Sequence, residues 1–568
     1  MIKHSFSNFR AMTRFKLAVL LALPVASALA QVPPVLPPSI DPGAIQRQSQ
    51  DQQRQIQNEE QQRKFRDQEN KGSPLDAGGA QQAPSKAPAA PDSVVRVRVR
   101  QMVFSESAVF TPQELTTIAA DYEGKELSFA DLQAVLQRVN TLYLERGFVA
   151  ARATLPAQDV SGGVVQIRLI EGRIGDYLIQ GNDTTRESFV RDRMHQLPGA
   201  LVNAIDLERD LIWFNRTNDI QLGADLRAGS AVGTSDVHLG VLEPQQHVFK
   251  VTADSTGGHS TGENRIGMSY INHSLFGFRD ELTLSETASD GDTGNGFSYS
   301  VPVGTWGTRA VLNYNHDRTH VLYGPFSTLN ITGGAESTGI SVVQPLVATQ
   351  NNLVHFTVGY VTTASNTFIE PVQLANSKTN DTSLGLDMSR SDGGGNWFAS
   401  LTETSGNQNV PGKENYQTLR ATVQRDQTID TQSYWHFNLT AQGTANDFLP
   451  GSDQFFLGGT STVRGYSSSA YGGLSGYVIN IEYHHDWPQD KIELPPGLQV
   501  FPFVFFDHGE TRPTGAGLTS IDLQSVGAGA DLRLSTHTSG RITFGQQLTS
   551  SASESSAYRI DFSLQWVY

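Results

Sequence analysis

The sequence predicts a mainly-β fold, in which a transmembrane antiparallel barrel of about 16 strands follows two small α+β units and a polar N-terminal helix. Three observations carry this. From about residue 245 to Tyr568, short segments alternate apolar with small or polar residues at period two. The last of them ends on an aromatic residue. Upstream, two successive stretches repeat one order of strand and helix signals.

Composition agrees with an extracytoplasmic chain. Of 568 residues 53 are glycine, 17% are charged and none is cysteine, so stray disulfide chemistry is avoided. A net charge of −15 argues against a nucleic-acid-binding face. Residues 1–30 read as a secretory leader: Lys3, Arg10, Arg14 and Lys16 precede an apolar run from Leu17, and Ala28-Leu-Ala30 supplies small residues for cleavage. No later apolar run reaches about 20 residues, which leaves membrane crossing to strands.

Residues 31–70 begin Pro-rich, and Asp41-Pro42 then offers an N-cap with proline at the first helical position. The segment that follows is dominated by Gln, Arg, Glu and Asp, with only Ile45, Ile56 and Phe65 as scattered apolar positions. Such a segment is either a solvated tether or a helix held in wet surroundings such as a water-filled lumen. Residues 71–93, rich in Pro, Ala, Gly and Gln, read as a flexible linker.

Residues 94–172 read as one β-α-α-β-β unit. Val94 to Arg100 alternates as a strand, Thr111-Pro-Gln-Glu114 is a capping box, and Ser128 opens a second helix. Leu132, Val135, Leu136, Val139, Leu142 and Tyr143 form its core face, and Gly147 ends it. Strands are expected from Phe148 to Leu155 and from Val164 to Ile170. Residues 173–244 repeat the scheme, with a strand at Tyr177-Leu-Ile179, a capping box at Thr184-Thr-Arg-Glu187 and a helix opened by Asn203. Strands from Gln221 to Arg227 and Asp236 to Leu242 close the unit.

In residues 245–568, Val354, Phe356, Val358 and Tyr360 alternate with His355, Thr357 and Gly359, as Trp435, Phe437 and Leu439 do with His436 and Asn438. Roughly 320 residues at about 20 per strand and loop give about 16 strands, with tight turns expected at Ser300 to Gly307 and Val343 to Gln350 on one rim. Within this region Gly458, Gly459, Val463, Arg464, Gly465 and Tyr466 place one arginine among glycines and small residues. A charge inside a narrow barrel is paired or stands as a hydrated lumen charge, and the candidate partner is Asp507, between Phe505 and Gly509 in an otherwise apolar strand.

Taken together, the chain resembles the outer-membrane transporters of two-partner secretion (TpsB type, the haemolysin and filamentous-haemagglutinin secretion and activation proteins). The residues carrying this are Arg146-Gly-Phe-Val through Gln158 with Ile170-Glu-Gly172, then Leu457-Gly-Gly459 leading to Val463-Arg-Gly-Tyr466, Phe505-Phe-Asp507-His-Gly509, and the aromatic end. The resemblance implies two periplasmic polypeptide-transport-associated (POTRA) domains, a plug helix, and a 16-stranded barrel in the outer membrane of a Gram-negative bacterium. It also implies that the loop around 456–475 folds into the lumen with Arg464 paired to Asp507. Phe562, Trp566 and Tyr568 have the form of a closing strand read by the barrel-assembly machinery.

The expected function is therefore export of an unfolded exoprotein of adhesin, haemolysin or toxin type, captured by the POTRA domains through β-augmentation. No nucleotide, cofactor or metal is expected, and no nucleic acid; membrane lipid surrounds the barrel. The rival readings are a barrel insertase of the same superfamily and a passive porin. Gly258-His-Ser260-Thr-Gly262 matches a nucleophile-elbow pattern, but in an expected loop. His484-His485-Asp486 is expected on a solvated rim, without spaced metal ligands.

Overall fold

The computed structural model describes residues 38–54, 73–76, 96–486, 494–495, 497–513, 519–550 and 556–568. The expected leader (1–30) lies outside the described residues, as do 31–37, 55–72 and 77–93 of the expected Pro-rich start, helix and linker.

In the first unit, Thr111 and Ser128 each close a capping box, which starts the helices Pro112–Ala120 and Phe129–Glu145. The second helix buries Leu132, Val135, Val139 and Tyr143. They pack on a sheet in which Val164–Glu171 lies between Gln101–Phe104, parallel, and Ala151–Thr154, antiparallel. Fully burying each such apolar side chain is worth about 1.5–3 kcal/mol.

Two expected strands are shorter than their alternation. The first is interrupted after Val97–Arg98, because the Arg100 and Gln101 amides both turn to the Gly163 carbonyl. Phe148 to Ala150 is not strand, because Gly147 adopts φ +85° and the Phe148 amide bonds back to the Tyr143 carbonyl.

The second unit comprises the strand Arg173–Gln180, the helices Glu187–Arg191 and Ala204–Thr217, and the strands Gln221–Ala228 and Thr234–Leu242. Asn203 caps the long helix, whose Leu207, Leu211 and Phe214 are buried. The capping box expected at Thr184 is absent: Arg186 is the N-cap and makes no side-chain cap bond. Thr184 is engaged elsewhere, its amide and hydroxyl both donating to Glu243, at 2.9 and 2.6 Å. One stretch expected to be flexible linker is ordered, since Leu75–Asp76 forms a parallel strand on Gln221–Ala228.

Sixteen antiparallel strands, from His247–Asp254 to Tyr558–Val567, then form a closed barrel in which the first pairs with the last. Closure leaves no open edge, as a strand-built membrane span requires. Trp435, Phe437, Leu439, Phe562, Trp566 and Tyr568 are exposed on the outer face, whereas Asn438, Gln442 and Asp561 are buried inside. Among the described residues no helix is long and apolar enough to cross a membrane.

The second unit docks on one rim. Arg193 donates to the Gly304 carbonyl at 2.8 Å, Ser274 Oγ to the Thr184 carbonyl at 2.8 Å, and Arg216 to the Gln350 carbonyl. Each barrel contact lies in a connection between strands; the turns expected at 300–307 and 343–350 are present but shorter, at 303–308 and 349–351, because strand pairing continues through Pro302 and Ala348.

Candidate functional site: the occluded lumen

Between the strands Ser433–Gly443 and Ser475–His485 the chain leaves the wall and forms a small hairpin, Phe455–Leu457 with Tyr471–Gly473. Its tip folds inward, and Val463, Arg464 and Tyr466 are all buried. Gly458, Gly459 and Gly465 have φ of +102°, +96° and +89°, a region that other residues enter only with strain. Gly465 also abuts wall backbone: a Cβ there would stand 3.0 Å from the Gly545 carbonyl oxygen. Across the lumen wall, a Cβ on Gly509 would press on Leu457 and Val463, at 2.8 and 3.0 Å.

Arg464 is 4% exposed and Asp507 0% exposed. Arg464 Nε donates to Asp507 Oδ2 at 2.8 Å, Nη2 to Oδ1 at 2.6 Å, and its amide to Oδ2 at 3.0 Å. The guanidinium lies 3.6 Å from the centre of the Phe505 ring. Its remaining arm, Nη1, donates to Glu482 Oε1 at 2.5 Å, and His484 Nε2 meets Glu482 Oε2 at 2.7 Å. Asn480 Nδ2 reaches both the Thr462 carbonyl and Asp507 Oδ1, at 2.6 and 2.9 Å. One arginine thus ties the loop to two adjacent strands, with each of its three guanidinium nitrogens donating to a carboxylate. The Tyr466 hydroxyl adds a third attachment, 2.7 and 2.9 Å from the carbonyls of Thr549 and Gln524.

Glu482 and Asn480 escaped sequence reasoning and His484 was misplaced by it, although one signal was present. In the strand Ser475–His485 they alternate at period two, and Asn480 sits in register with Asp507 and Glu482 with Phe505. His484, expected on a solvated rim, is instead buried, stacked between Tyr434 and Phe503. Gly258 to Gly262 lies in the loop after His247–Asp254, with no helix following it.

A second body shares the lumen. Residues 42–54 are helical, and Asp41 accepts the Gly43 amide at 2.9 Å as an N-cap does. Gln46 donates to Asp317 Oδ2 at 2.6 Å, Arg265 to Gln52 Oε1 at 2.9 Å, and Arg420 to Asp51 Oδ2 at 3.1 Å. Those wall residues come from strands on different sides of the barrel, so the helix sits within it. A helix polar all round is stable here because its surroundings are polar too.

The motif from Arg146 serves a structural joint. Arg146 pairs with Glu114 at 2.5 Å, and Ala204 donates to the Gly147 carbonyl at 2.8 Å, holding the two units together. A Cβ on Gly147 would fall 2.5 Å from Asn203 Oδ1. Glu171 receives Ser107 Oγ at 2.5 Å, the Ala108 amide at 2.9 Å and the Tyr143 hydroxyl at 2.8 Å. Burial pushes its carboxyl up, but these donors outweigh that and hold it below the usual carboxylate range.

Residues 233–534, more than half of the chain, match the family model described as haemolysin secretion/activation protein ShlB/FhaC/HecB. The chain belongs to that family. Residues 97–172 match a POTRA domain of ShlB type. Heme/hemopexin transporter protein HuxB of Haemophilus influenzae is 25% identical over 455 residues, 74% of this chain and 78% of its own. Outer membrane transporter CdiB of Dickeya dadantii is 27% identical over 401 residues, 66% of this chain and 70% of its own. In structure, the chain resembles CdiB from Escherichia coli, with a TM-score of 0.67 at 21% identity over 93% of this chain and 99% of that one. This family member is an outer-membrane transporter of two-partner secretion, its POTRA domains in the periplasm.

Proposed function

We propose that the protein exports an unfolded exoprotein, of adhesin, haemolysin or toxin type, which the POTRA units (residues 94–172 and 173–244) capture and the barrel (245–568) conducts to the cell surface. The observation that carries this reading is the way the lumen is closed. The helix at 42–54 is held largely by polar side-chain contacts such as Gln46 with Asp317 and Asp51 with Arg420, which water replaces at little net cost once it leaves. It is a removable plug on a polar conduit. Arg464 and Asp507 form a fixed anchor that keeps the in-folded loop registered on the wall while the plug moves. No nucleotide takes part: folding of the exoprotein outside withdraws extended chain from the pore by mass action. Phe562, Trp566 and Tyr568, on the outer face of the closing strand, serve recognition by the barrel-assembly machinery during biogenesis.

The test is deletion of residues 173–244 with co-expression of the exoprotein that the full-length protein secretes. Secretion should cease while the barrel still inserts and remains heat-modifiable. Normal secretion without that unit would refute capture.

A further inference from the structure

The lumen is not lined alike on all sides. On the strands Arg309–His320 and Ile331–Ala348, Leu312, Tyr314, Ile340 and Val342 are exposed on the outer face, so the alternate residues Asn313, Asn315, Ser337 and Ser341 turn inward. That is the polar lining a water-filled barrel has. The strand Gln499–Arg512 departs from it. Val504 and Phe506 are exposed outside, whereas Phe501, Phe503 and Phe505 turn inward one after another, leading from the periplasmic end up to Asp507.

Each inward ring carries a guanidinium. Arg533 lies 5.8 Å from the centre of Phe501, Arg541 5.2 Å from that of Phe503, and Arg464 3.6 Å from that of Phe505. The upper two rings lie across glycines of the next strand, where a Cβ on Gly529 or Gly527 would fall 2.4 Å from Phe503 or Phe505. His484 stacks on Phe503 with ring centres 4.9 Å apart, and Tyr434 stacks on His484 at 4.4 Å. Phe503 and Phe505 are buried beneath these partners, but Tyr434, Phe501 and Arg541 are half-buried and Arg533 is exposed. The steps nearest the periplasm are therefore the open ones.

This wall also stands opposite the docking side. Counting round the closed ring from His247–Asp254, the second unit meets the connections between strands two and three, four and five, and six and seven. The strands Ser475–His485 and Gln499–Arg512 are the twelfth and thirteenth of sixteen, half a turn away. A chain passing from that unit into the lumen meets them across the mouth. Inward residues of one strand repeat at roughly 6.7 Å, the same repeat at which an extended chain presents alternate side chains.

We propose that Tyr434, Phe501 and Phe503, with Arg533 and Arg541 laid on the rings, are a contact track for the exported chain. Aromatic or bulky apolar side chains at alternate positions of an extended segment take the place of the guanidiniums, one step at a time. A displaced guanidinium is not stranded, since Arg541 also bonds Asp531 at 2.6 and 3.0 Å, so each step is entered and left readily. The inference rests on the exporter reading and names the residues that the passing chain touches.

The test places the full-length protein in a planar bilayer and adds soluble peptides on the periplasmic side. One carries three phenylalanines at alternate positions within Gly-Ser repeats, a second has the same phenylalanines spaced three apart, and a third has asparagine in their place. Blockades of the open pore by the alternating peptide should last at least tenfold longer than those by the asparagine peptide and at least threefold longer than those by the respaced one. With Tyr434→Ala and Phe501→Ala together, in a barrel that remains heat-modifiable, both contrasts should shrink below twofold. Where that barrel fails to insert, Arg533→Ala, at an exposed position, reads the track from the other side: baring Phe501 should lengthen blockades by the alternating peptide. Equal blockades by the alternating peptide and either control, contrasts that survive the double variant, or Arg533→Ala without effect would overturn the track. If the exporter reading itself were wrong, the contrasts would persist while no exoprotein was secreted.

Discussion

Arg279 Nε stands 3.0 Å from Asp219 Oδ1, so a turn of the barrel is locked into the second α+β unit by a guanidinium that is itself almost wholly buried. The same arginine reaches Thr184 Oγ1 at 3.1 Å and adopts φ +58°, a conformation retained only where surroundings impose it. Truncating one partner of such a pair costs about 2–5 kcal/mol. Arg279→Ala should leave the barrel inserted, raise amide hydrogen exchange around residues 184–191 and reduce secretion. Unaltered exchange in that segment would show that the docking does not depend on this pair.

The loop anchor has a further consequence for charge exchange. Because Arg464 also bonds Glu482, swapping it with Asp507 places a new carboxylate beside Glu482. Arg464→Asp with Asp507→Arg alone should therefore rescue little of a single-variant defect of about 3–5 kcal/mol. Adding Glu482→Gln should improve rescue, read as recovered secretion and protease resistance of the loop. Full rescue by the two-residue swap would deny Glu482 a share in the anchor.

For the plug, each helix-to-wall hydrogen bond contributes about 0.5–1.5 kcal/mol. Removing two with Asp317→Ala and Arg420→Ala should raise the open fraction of pores roughly tenfold, since 1.4 kcal/mol is a factor of ten. Planar-bilayer recordings would show it as more frequent open events. An unchanged event frequency would mean that these contacts do not hold the helix.

Acid should weaken the first POTRA unit through Glu171. Its carboxyl is held below the usual range in the folded state, so it contributes stability that is fully present above its unfolded pKa and is lost as pH falls through the folded value. Hydrogen exchange across residues 105–110 in the intact protein should rise steeply on acidification below about pH 4. Glu171→Gln should flatten that dependence while lowering protection at neutral pH.

Much of this architecture was written in local patterns. Capping boxes at Thr111 and Ser128 and alternation across Trp435 to Leu439 are nearest-neighbour signals, and the elements they announce are present. Thr184 misled because the same spacing serves a tertiary bond to Glu243, which no window of sequence contains. Phe148 to Ala150 kept the composition of a strand but is turned back by the helix end. Arg464 and Asp507 stood out as charges in apolar or glycine-rich company. Glu482 and Arg279 did not, because their surroundings are ordinary until the fold brings a partner from 18 or 60 residues away. The strand at Leu75 was hidden by composition, since Pro, Gly and Ala around it say linker and only the edge of another unit makes it a strand.

Because the helix at 42–54 and the lumen that receives it belong to one polypeptide, reclosure is a first-order process. A tethered ligand meets its receptor at an effective concentration on the order of millimolar, however few copies of the protein the membrane holds. On the export route proposed above, each transporter carries its own stopper, and how quickly it reseals after a passenger has left is expected to follow the length of the tether, not abundance in the cell.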